Sequence, residues 1–303
     1  MLAAQDAGRF IAARYGSRAG ALRELRGGAW SRVYALTLDG REVVAKFGAH
    51  REDMEKDRVM GAVGPPAVPV PRVLDLGEAP GGFFALSERV CGAPLDELDE
   101  AGMRAVLPDL LRVLDGLAAI DLSERAGYGP WGPDGKGACP TWRQAVLGFT
   151  SDRQGGWHAA LRESPAGTAA LRTGSARLQA LAADLPDVRQ LIHGDLLYRN
   201  VLVEGPRVRA VLDWGNSMYG DALFDAAWLR FWWPWHPLWA KIDIRAELER
   251  HWAAGCGAPP DREARMHCYE LRVGLEHIVW YAWRREGEHL QRAAQQVLEL
   301  AAI

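Results

Sequence analysis

The residues with the clearest chemical potential lie in the segment His193-Gly194-Asp195-Leu196-Leu197-Tyr198-Arg199-Asn200 and in Asp213-Trp214-Gly215. Asp195 and Asn200 bracket a short loop before a predicted β-hairpin, and Asp213 ends the second strand of that hairpin. Three oxygen-bearing side chains around one hairpin can converge on a hard cation, which prefers carboxylate and amide oxygens. Magnesium is usually shared with substrate phosphates, so the pattern indicates nucleotide chemistry.

The order and spacing of these residues match the phosphoryl-transfer template of protein kinases, which is His-x-Asp, four residues, Asn, and later Asp-x-Gly. In that template the first Asp accepts the proton of the attacking hydroxyl, and the Asn and the second Asp hold magnesium. We therefore predict Asp195 as the catalytic base and Asn200 and Asp213 as metal ligands. The alternative is that all three only cap turns, since Asp and Asn favour turns.

A lysine within an apolar strand is the next candidate. Lys46 follows Val43-Val44-Ala45 and resembles the strand-borne lysine that grips the phosphates in the same template. Burial of its charge would otherwise be costly, and a lysine that reaches from the strand to the surface is the alternative. A carboxylate on the next helix should pair with it. Glu55 is the predicted partner, and Glu52 and Asp57 are the alternatives.

Two other segments are predicted to contact the nucleotide. The turn over 27–31, which ends at Ser31, lies where a phosphate-covering loop is expected, although it lacks the full G-x-G-x-x-G pattern. Ser87, Glu88 and Arg89 join the two predicted lobes, so their backbone is expected to bond the adenine edge. The sequence contains no Walker P-loop.

The elements that position these residues predict an α+β, protein-kinase-like fold of two lobes. A small mixed β/α N-lobe is predicted over residues 1–90, and a larger, mainly helical C-lobe over 91–303. The N-lobe has predicted helices at 9–25 and 51–62 and strands at 32–38, 43–47, 70–74 and 83–87, the first two strands joined by Asp39-Gly40. The C-lobe has predicted helices at 100–120, 142–149, 168–183, 221–232, 243–254, 264–282 and 288–300, with a hairpin at 201–212.

Composition excludes several classes of protein. The chain has 303 residues, 49% hydrophobic and 25% charged, with a net charge of −3, which is typical of a globular protein and gives no basic field for nucleic acid. Its four cysteines are far apart in the sequence, so we expect reduced thiols and a cytoplasmic protein. The N-terminus predicts no secretory signal, and the apolar stretch 229–240 is too interrupted to span a membrane. A monomer is expected.

The sequence resembles the aminoglycoside phosphotransferase family. The segments that carry the resemblance span both predicted lobes and are 55–58, 127–133, 141–143, 191–200 and 213–235. The resemblance implies a kinase-like fold and ATP or GTP with Mg²⁺ as cofactors. It also implies that a hydroxyl of a cationic aminoglycoside or aminocyclitol antibiotic, such as hygromycin B, is phosphorylated, which would confer resistance.

The resemblance also implies a substrate site in the C-lobe. Trp232 and Trp235 match tryptophans of the sugar site, where flat rings stack on sugars and attract ammonium groups. Packing of the core is the alternative, since the chain contains 13 tryptophans. Asp221, predicted chiefly to cap a helix, belongs to the predicted substrate site together with Asn216 and Arg199. The related pattern has an acidic residue at the position of Asn216 and an asparagine at that of Arg199, so a polycation should bind less strongly here.

Two features separate the sequence from a protein kinase. Gly194 replaces the arginine of His-Arg-Asp, and only a few residues separate Asp213 from Gly220-Asp221, which leaves no room for an activation segment. We therefore expect a constitutively active small-molecule kinase. One alternative is a kinase of a macrolide, a choline-like amine or a sugar. Another is a nucleotide-binding module without catalysis, against which the complete set of motif residues argues.

Overall fold

The computed structural model describes residues 2–28, 30–64, 67–149, 157–255 and 259–303. Two features of the sequence analysis, Ala29 in the predicted phosphate loop and Cys256, one of the four cysteines, lie outside the described residues. The helices are α1 (Ala4–Tyr15), α2 (Arg51–Val63), α3 (Glu100–Ala118), α4 (Trp142–Leu147), α5 (Trp157–Arg162), α6 (Pro165–Leu181), α7 (Leu223–Trp232), α8 (Ile244–Ala254), α9 (Arg262–Arg284) and α10 (Gly287–Ala301). The strands are β1 (Arg23–Leu25), β2 (Ser31–Leu38), β3 (Arg41–Gly48), β4 (Val73–Ala79), β5 (Gly82–Glu88), β6 (Ala93–Pro94), β7 (Tyr128–Trp131), β8 (Gly137–Cys139), β9 (Gln190–Ile192), β10 (Val201–Glu204), β11 (Arg207–Val211) and β12 (Met218–Gly220).

These elements form two units, each built from several stretches of the chain. The first unit contains Met1–Leu98, Ala105–Gly116 and Leu197–Ser217. The second unit contains Asp99–Arg104, Leu117–Leu196 and Met218–Ile303. The hairpin β10–β11 therefore belongs to the same unit as the N-terminal strands. The predicted boundary near residue 90 divides the chain by sequence order and stays a prediction.

A five-stranded antiparallel sheet of order β1-β2-β3-β5-β4 is the centre of the first unit. The β2–β3 hairpin turns at Asp39-Gly40 as predicted, because this dipeptide tolerates the left-handed backbone that a tight hairpin requires. Val43, Ala45 and Phe47 alternate on the buried face of β3, so Lys46 lies on the other face of this central strand.

Helix α1 covers the buried face of this sheet. Its residues Ala7, Ile11 and Tyr15, spaced about one helical turn apart, pack in one core with aromatic and aliphatic side chains of β2, β3 and β5. The prediction of a helix over 9–25 is wrong beyond Tyr15, because the helix ends at Gly16 and residues 23–25 form β1. Glycine is a poor helix former, and β1 gains its hydrogen bonds from pairing with β2.

The predicted second hairpin is present in the first unit. Strands β10 and β11 pair with Val201 opposite Val211, and β6 adds a short third strand beside β10. The turn of the hairpin lies at residues 205–206, so its open end carries Asn200 before β10 and Asp213 shortly after β11. The two predicted metal ligands are therefore brought to one end of one hairpin.

The second unit combines helices with a four-stranded sheet of order β8-β7-β12-β9. Helix α9 packs against α5, α6, α7 and α10, so its buried face, which includes Leu271, Leu275 and Ile278, forms the centre of the helical core. The sequence predicts no strand over 127–140, although this segment contains β7 and β8. These strands are three or four residues long and their pairing joins distant parts of the chain, so no local pattern reveals them.

No helix within the described residues is long and apolar enough to cross a membrane. Cys91, Cys139 and Cys268 are free thiols.

Candidate active site

Lys46 is the centre of a charged cluster in the first unit. Its Nζ lies 3.0 Å from Oδ2 of Asp57 on α2 and 3.0 Å from Oδ1 of Asp213. Burial alone would lower the pKa of this ammonium group, but the two carboxylates outweigh burial and raise the pKa above its ordinary value. Lys46 is therefore a permanently charged group, held against a predicted metal ligand rather than exposed at the surface.

The prediction that Glu55 pairs with Lys46 is wrong. The Glu55 carboxylate binds Arg51 at 3.2 Å and Arg58 at 2.7 Å, which are its neighbours at helical spacing on α2. Asp57, one of the two alternatives, is the partner of Lys46.

The helical phase of α2 explains why Asp57 takes this position. Met54 and Met60 are buried, and Asp57 falls midway between them, so the three side chains share the inward side of the helix. The spacing from the two methionines is the signal that would have favoured Asp57 in the sequence.

The two carboxylates of α2 give a matched pair of variants. Asp57→Asn is expected to lower kcat/KM by about 10- to 100-fold, the usual effect of losing a partner that orients a functional group. Glu55→Gln is expected to leave kcat/KM close to that of the unsubstituted protein, because ion pairs as exposed as those of Glu55 contribute little. Steady-state kinetics of both variants test this. Equal losses in the two would contradict the assignment of Asp57.

Asp57 also links Lys46 to the backbone next to Asp213. Its Oδ1 accepts a hydrogen bond from the N–H of Trp214 at 2.9 Å, and its Oδ2 accepts from Lys46. Burial raises the pKa of the Asp57 carboxyl, while the charge of Lys46 and the N–H of Trp214 oppose that effect. One carboxylate thus fixes both the lysine and the residue after Asp213.

Asn200 and Asp213 lie at the open end of the β10–β11 hairpin, the first just before β10 and the second shortly after β11. The N–H of Leu212 donates to the carbonyl oxygen of Asn200 at 2.7 Å, which holds the two chain segments together. Asp213 has a φ of 61°, a left-handed conformation that is strained for most residues with a side chain but is more often adopted by Asp. Strain of this kind often accompanies functional sites.

This donor set suits a hard cation. Asn200 supplies an amide oxygen, and the Asp213 side chain, 48% exposed, supplies a carboxylate that a ligand can reach. Within the described part of the chain, no group of three or more His, Cys, Asp or Glu side chains could hold a metal ion. Magnesium usually binds one or two protein ligands together with waters and phosphate oxygens, so these two residues fit that ion.

The predicted nucleotide-contacting residues lie at two places in the first unit. Ser31 is buried at the start of β2, opposite Gly48. The N–H groups of Glu88 and Arg89 donate to the carbonyl oxygens of Arg72 and Glu42 in this structure, and the adenine contact predicted for the backbone of 87–89 stays a prediction. Ser87 lies within β5.

Asp195 belongs to the second unit, in the loop that follows β9. Gly194 has a φ of 77°, a left-handed conformation that an arginine at this position would rarely adopt, which accounts for the glycine in the motif. The N–H of Asp195 donates to Nδ1 of His193 at 3.2 Å, and His193 is fully buried. His193 therefore orients the loop, and Asp195 remains the proposed base.

Asp225 anchors this loop from the first turn of α7. Its Oδ2 accepts from the N–H of His193 and its Oδ1 from the N–H of Gly194, both at 2.8 Å. Burial raises the pKa of the Asp225 carboxyl to about 6, although the two N–H groups favour the charged form. Asp225 therefore fixes the backbone N–H groups of the two residues that precede Asp195.

The raised pKa of Asp225 predicts a pH-dependent stability. Between about pH 4, near the ordinary pKa of an aspartate, and about pH 6, the folded protein binds the proton of Asp225 more tightly than the unfolded chain does. The contribution of Asp225 to the free energy of unfolding therefore falls as pH rises through this range. Asp225→Asn removes that dependence. The difference in free energy of unfolding between the parent and Asp225→Asn is expected to shrink by about 2 kcal/mol from pH 4.5 to pH 7.5, measured by urea denaturation. A difference that stays constant over this range would contradict it.

Asp221 is a buried ion-pair residue in this structure, which corrects its place in the predicted substrate site. It is 1% exposed, and its Oδ2 accepts from Nε of Arg265 at 2.7 Å and from the hydroxyl of Tyr269 at 2.6 Å. Its Oδ1 accepts from the N–H of Leu223, which agrees with the predicted role at the start of α7.

The two predicted substrate tryptophans differ in position. Trp232 is 2% exposed and packs edge-to-face against Phe231 and His277, so the core-packing alternative holds and the prediction that its ring stacks on substrate does not. Trp235 is half-buried, and its Nε1 donates to Gln296 at 2.8 Å. Trp235 therefore stays a predicted substrate residue.

Arg199 and Asn216, at which the sequence differs from the pattern of the family it resembles, lie in the first unit. The guanidinium of Arg199 pairs with Glu97 at 3.2 Å, so its positive charge is partly neutralised. Asn216 is exposed at the end of the turn after Asp213. Both stay predicted substrate residues, and the Glu97 pair reduces the repulsion that Arg199 alone would exert on a polycation.

The fold and the motif residues described above define a class of protein, namely a two-unit phosphotransferase with kinase-type motifs. A family model described as "Phosphotransferase enzyme family" matches residues 21–259, and the chain belongs to this family. The predicted aminoglycoside phosphotransferase resemblance and the activity class of a phosphotransferase acting on an alcohol group are confirmed.

Individual relatives narrow this class. Hygromycin-B 4-O-kinase of Escherichia coli is 32% identical over 259 residues, which are 85% of this chain and 73% of that protein. The crystal structure of aminoglycoside phosphotransferase APH(4)-Ia matches with a TM-score of 0.87 at 28% identity and 99% coverage of both chains. A thermostable mutant of APH(4)-Ia in ternary complex with AMP-PNP and hygromycin B matches with a TM-score of 0.85 at 29% identity and 97% coverage of both chains. The predicted protein-kinase-like fold class is thereby confirmed.

Proposed function

We propose that this protein transfers the γ-phosphoryl group of ATP to a hydroxyl group of an aminocyclitol antibiotic of the hygromycin B type. The observation that carries the proposal is the Lys46–Asp57–Asp213 cluster, in which a permanent cation is held against an accessible carboxylate. The relatives support the substrate class, since one is named Hygromycin-B 4-O-kinase and another binds AMP-PNP and hygromycin B. The 4-hydroxyl is accordingly the first candidate acceptor.

In the proposed reaction, Asp195 accepts the proton of the acceptor hydroxyl. The acceptor oxygen forms a bond to the γ-phosphorus, the bond from that phosphorus to the β,γ-bridging oxygen breaks, and ADP leaves. Little covalent chemistry is asked of the protein in such a transfer, so orientation of Asp195 is the main requirement. The hydrogen bonds from the loop backbone to Asp225 and His193 supply that orientation.

Lys46 is proposed to bind phosphate oxygens of the nucleotide. Its charge is kept by Asp57, and the carboxylate of Asp213 draws its Nζ toward the predicted metal site. Asn200 and Asp213 would hold Mg²⁺, which when bound neutralises charge on the β- and γ-phosphate groups. Lys46 thereby places a positive charge against the phosphates, which stabilises the charge that develops on them.

We further propose that the protein confers antibiotic resistance as a monomer in the cytoplasm. ATP is available there, and the free thiols of Cys91, Cys139 and Cys268 are compatible with a reducing compartment. GTP is the alternative phosphoryl donor.

A second candidate is a kinase of another small acceptor. It is favoured by Asn216 and Arg199, at which the chain differs from the related pattern, because fewer acidic groups suit a less cationic ligand. Macrolides, choline-like amines and neutral sugars are the acceptor classes to compare.

A coupled assay of nucleotide turnover tests the proposal. The purified protein is supplied with Mg²⁺, with ATP or GTP, and with an acceptor panel of hygromycin B, other aminoglycosides, a macrolide, choline and a sugar. Rapid turnover that depends on hygromycin B is expected. Turnover with another acceptor only would favour the second candidate, and nucleotide binding without any turnover would favour a non-catalytic module.

A further inference from the structure

Lys56 is a buried charged residue that the proposed mechanism does not use. It lies on α2 next to Asp57, and only 6% of the residue is exposed. Its Nζ donates to the carbonyl oxygen of Gly215 at 2.8 Å and to that of Ser217 at 3.0 Å. Burial of an ammonium group is unfavourable unless it is well hydrogen-bonded, so these two contacts are what keep Lys56 in the core.

The two carbonyl groups belong to a short turn that directly follows Asp213. Residues 214–216 form a single 3₁₀ turn, and carbonyl groups at the end of a helical turn have no partner within it. A lysine satisfies such groups and is favoured there by the local dipole. Because Asp213 itself has a left-handed backbone, its conformation depends on how firmly the following turn is held.

Two other contacts from α2 hold the same turn. Asp57 accepts from the N–H of Trp214 at 2.9 Å. Asp53 packs against Gly215 so closely that a Cβ atom at position 215 would lie 2.9 Å from its Cγ. Three positions of α2, namely 53, 56 and 57, therefore fix the residues after Asp213.

We propose that Lys56 is a positioning residue for metal binding, which acts by clamping the turn after Asp213 onto α2. The clamp fixes the Asp213 carboxylate, which contacts Lys46 and is a predicted metal ligand. Helix α2 and Asp213 then keep a fixed position relative to each other. A fixed position agrees with the prediction of a constitutively active kinase without an activation segment. The inference rests on the proposed function for the identity of the nucleotide and the metal, but it concerns binding and not the acceptor.

The test measures metal binding directly. Free Mn²⁺ is followed by electron paramagnetic resonance while it is titrated into protein with AMP-PNP, and AMP-PNP binding with EDTA is measured by calorimetry. Lys56→Met is expected to weaken Mn²⁺ binding by about 10- to 100-fold, the usual effect of removing an outer partner of a metal ligand. Affinity for AMP-PNP without metal is expected to stay unchanged. Lys56→Gln, which keeps an N–H donor, should give a smaller loss.

A control variant separates positioning from general stability. Asp75, on the edge strand β4 of the five-stranded sheet, accepts hydrogen bonds from Arg14 and Tyr15 in the same unit. Asp75→Ala is expected to lower Tm while Mn²⁺ affinity stays at the parent value, measured well below the Tm of every variant. If Lys56→Met does not fold, Gly215→Ala replaces it, since its added methyl group must push Asp53 and the turn apart.

The outcomes of this test are distinct from those of the proposed function. Parent affinity for Mn²⁺ in both Lys56→Met and Gly215→Ala would overturn the positioning role, whatever the acceptor proves to be. Mn²⁺ affinity that is weakened equally in Asp75→Ala would also overturn it, because the effect would then be one of stability. Strong Mn²⁺ binding by the parent without phosphorylation of any acceptor would overturn only the proposed function. Absence of nucleotide binding by the parent would overturn both.

Discussion

Replacement of Asp195 by alanine is expected to lower turnover by about 10²- to 10⁴-fold, the range contributed by a positioned general base. The affinity for nucleotide is expected to stay unchanged, because the carboxylate is proposed to meet the acceptor hydroxyl and not the phosphates. The loop should keep its shape, since its anchors are the backbone N–H groups of His193 and Gly194 on Asp225. The side chain of Asp195 takes no part in these bonds.

Single-turnover kinetics and calorimetry with AMP-PNP measure the two effects separately. Asp195→Asn serves as the matched variant, since it keeps the size of the side chain and removes its basicity. Its rate is expected to fall as far as that of the alanine variant. Turnover close to that of the parent in either variant would remove Asp195 from the mechanism.

Replacement of Lys46 by methionine is the second change with a large expected effect. A loss of about 10²- to 10³-fold in kcat/KM is expected, comparable to the removal of one preorganised electrostatic group from a transition-state site. The variant also leaves the buried Asp57 carboxylate without its cation, so the free energy of unfolding should fall. Asp213 loses the same partner.

The coupling of Lys46 with Asp57 gives this prediction a sharper form. Residues that act as a unit show losses that do not add. The double variant Lys46→Met/Asp57→Asn is therefore expected to lose little more activity than Lys46→Met alone, and to be more stable because no unpaired buried carboxylate remains. Steady-state kinetics and urea denaturation of the three variants measure both quantities. Fully additive losses in kcat/KM would show that the two residues act independently.

The parts of the molecule that local pattern specifies could be predicted from the sequence. The dipeptide Asp39-Gly40 and the alternation of Val43, Ala45 and Phe47 predict the β2–β3 hairpin, because turn chemistry and side-chain period act over a few residues. The motif spacing likewise predicts that Asn200 and Asp213 lie together at the open end of one hairpin, because they flank its two strands. The long helix α9 follows from its periodic apolar residues, since the helix predicted over 264–282 lies within Arg262–Arg284.

Features that depend on contact between distant segments could not be predicted in this way. The choice of Asp57 over Glu55 depends on which side of α2 faces inward, which the spacing of Met54 and Met60 indicates but only their packing establishes. The pair of Asp221 with Arg265 joins residues from separate helical segments, so the carboxylate resembled a surface cap in the sequence. A buried polar residue becomes recognisable only when its partner is known.

The same limit explains the outcome for the aromatic residues. Trp232 matches a sugar-site tryptophan in the sequence, but α7 is buried on every side and leaves its ring in the core. Periodicity cannot separate a ring that packs from a ring that stacks on a ligand, because both lie on apolar helices. The role of Lys56 cannot be predicted from the sequence for a related reason, since its partners are backbone carbonyl groups that carry no sequence signal.

The most direct test of the proposed activity is to identify the product. Hygromycin B is incubated with the protein, ATP and Mg²⁺, and the antibiotic is then examined by mass spectrometry and phosphorus NMR, with ADP measured in parallel. The proposed activity predicts one phosphoryl group on a hydroxyl oxygen of the antibiotic for each ADP formed, and at least about 100-fold slower formation of this product by Asp195→Ala. ATP consumption that leaves hygromycin B unmodified, or a phosphorylated product from Asp195→Ala at the parent rate, would contradict it.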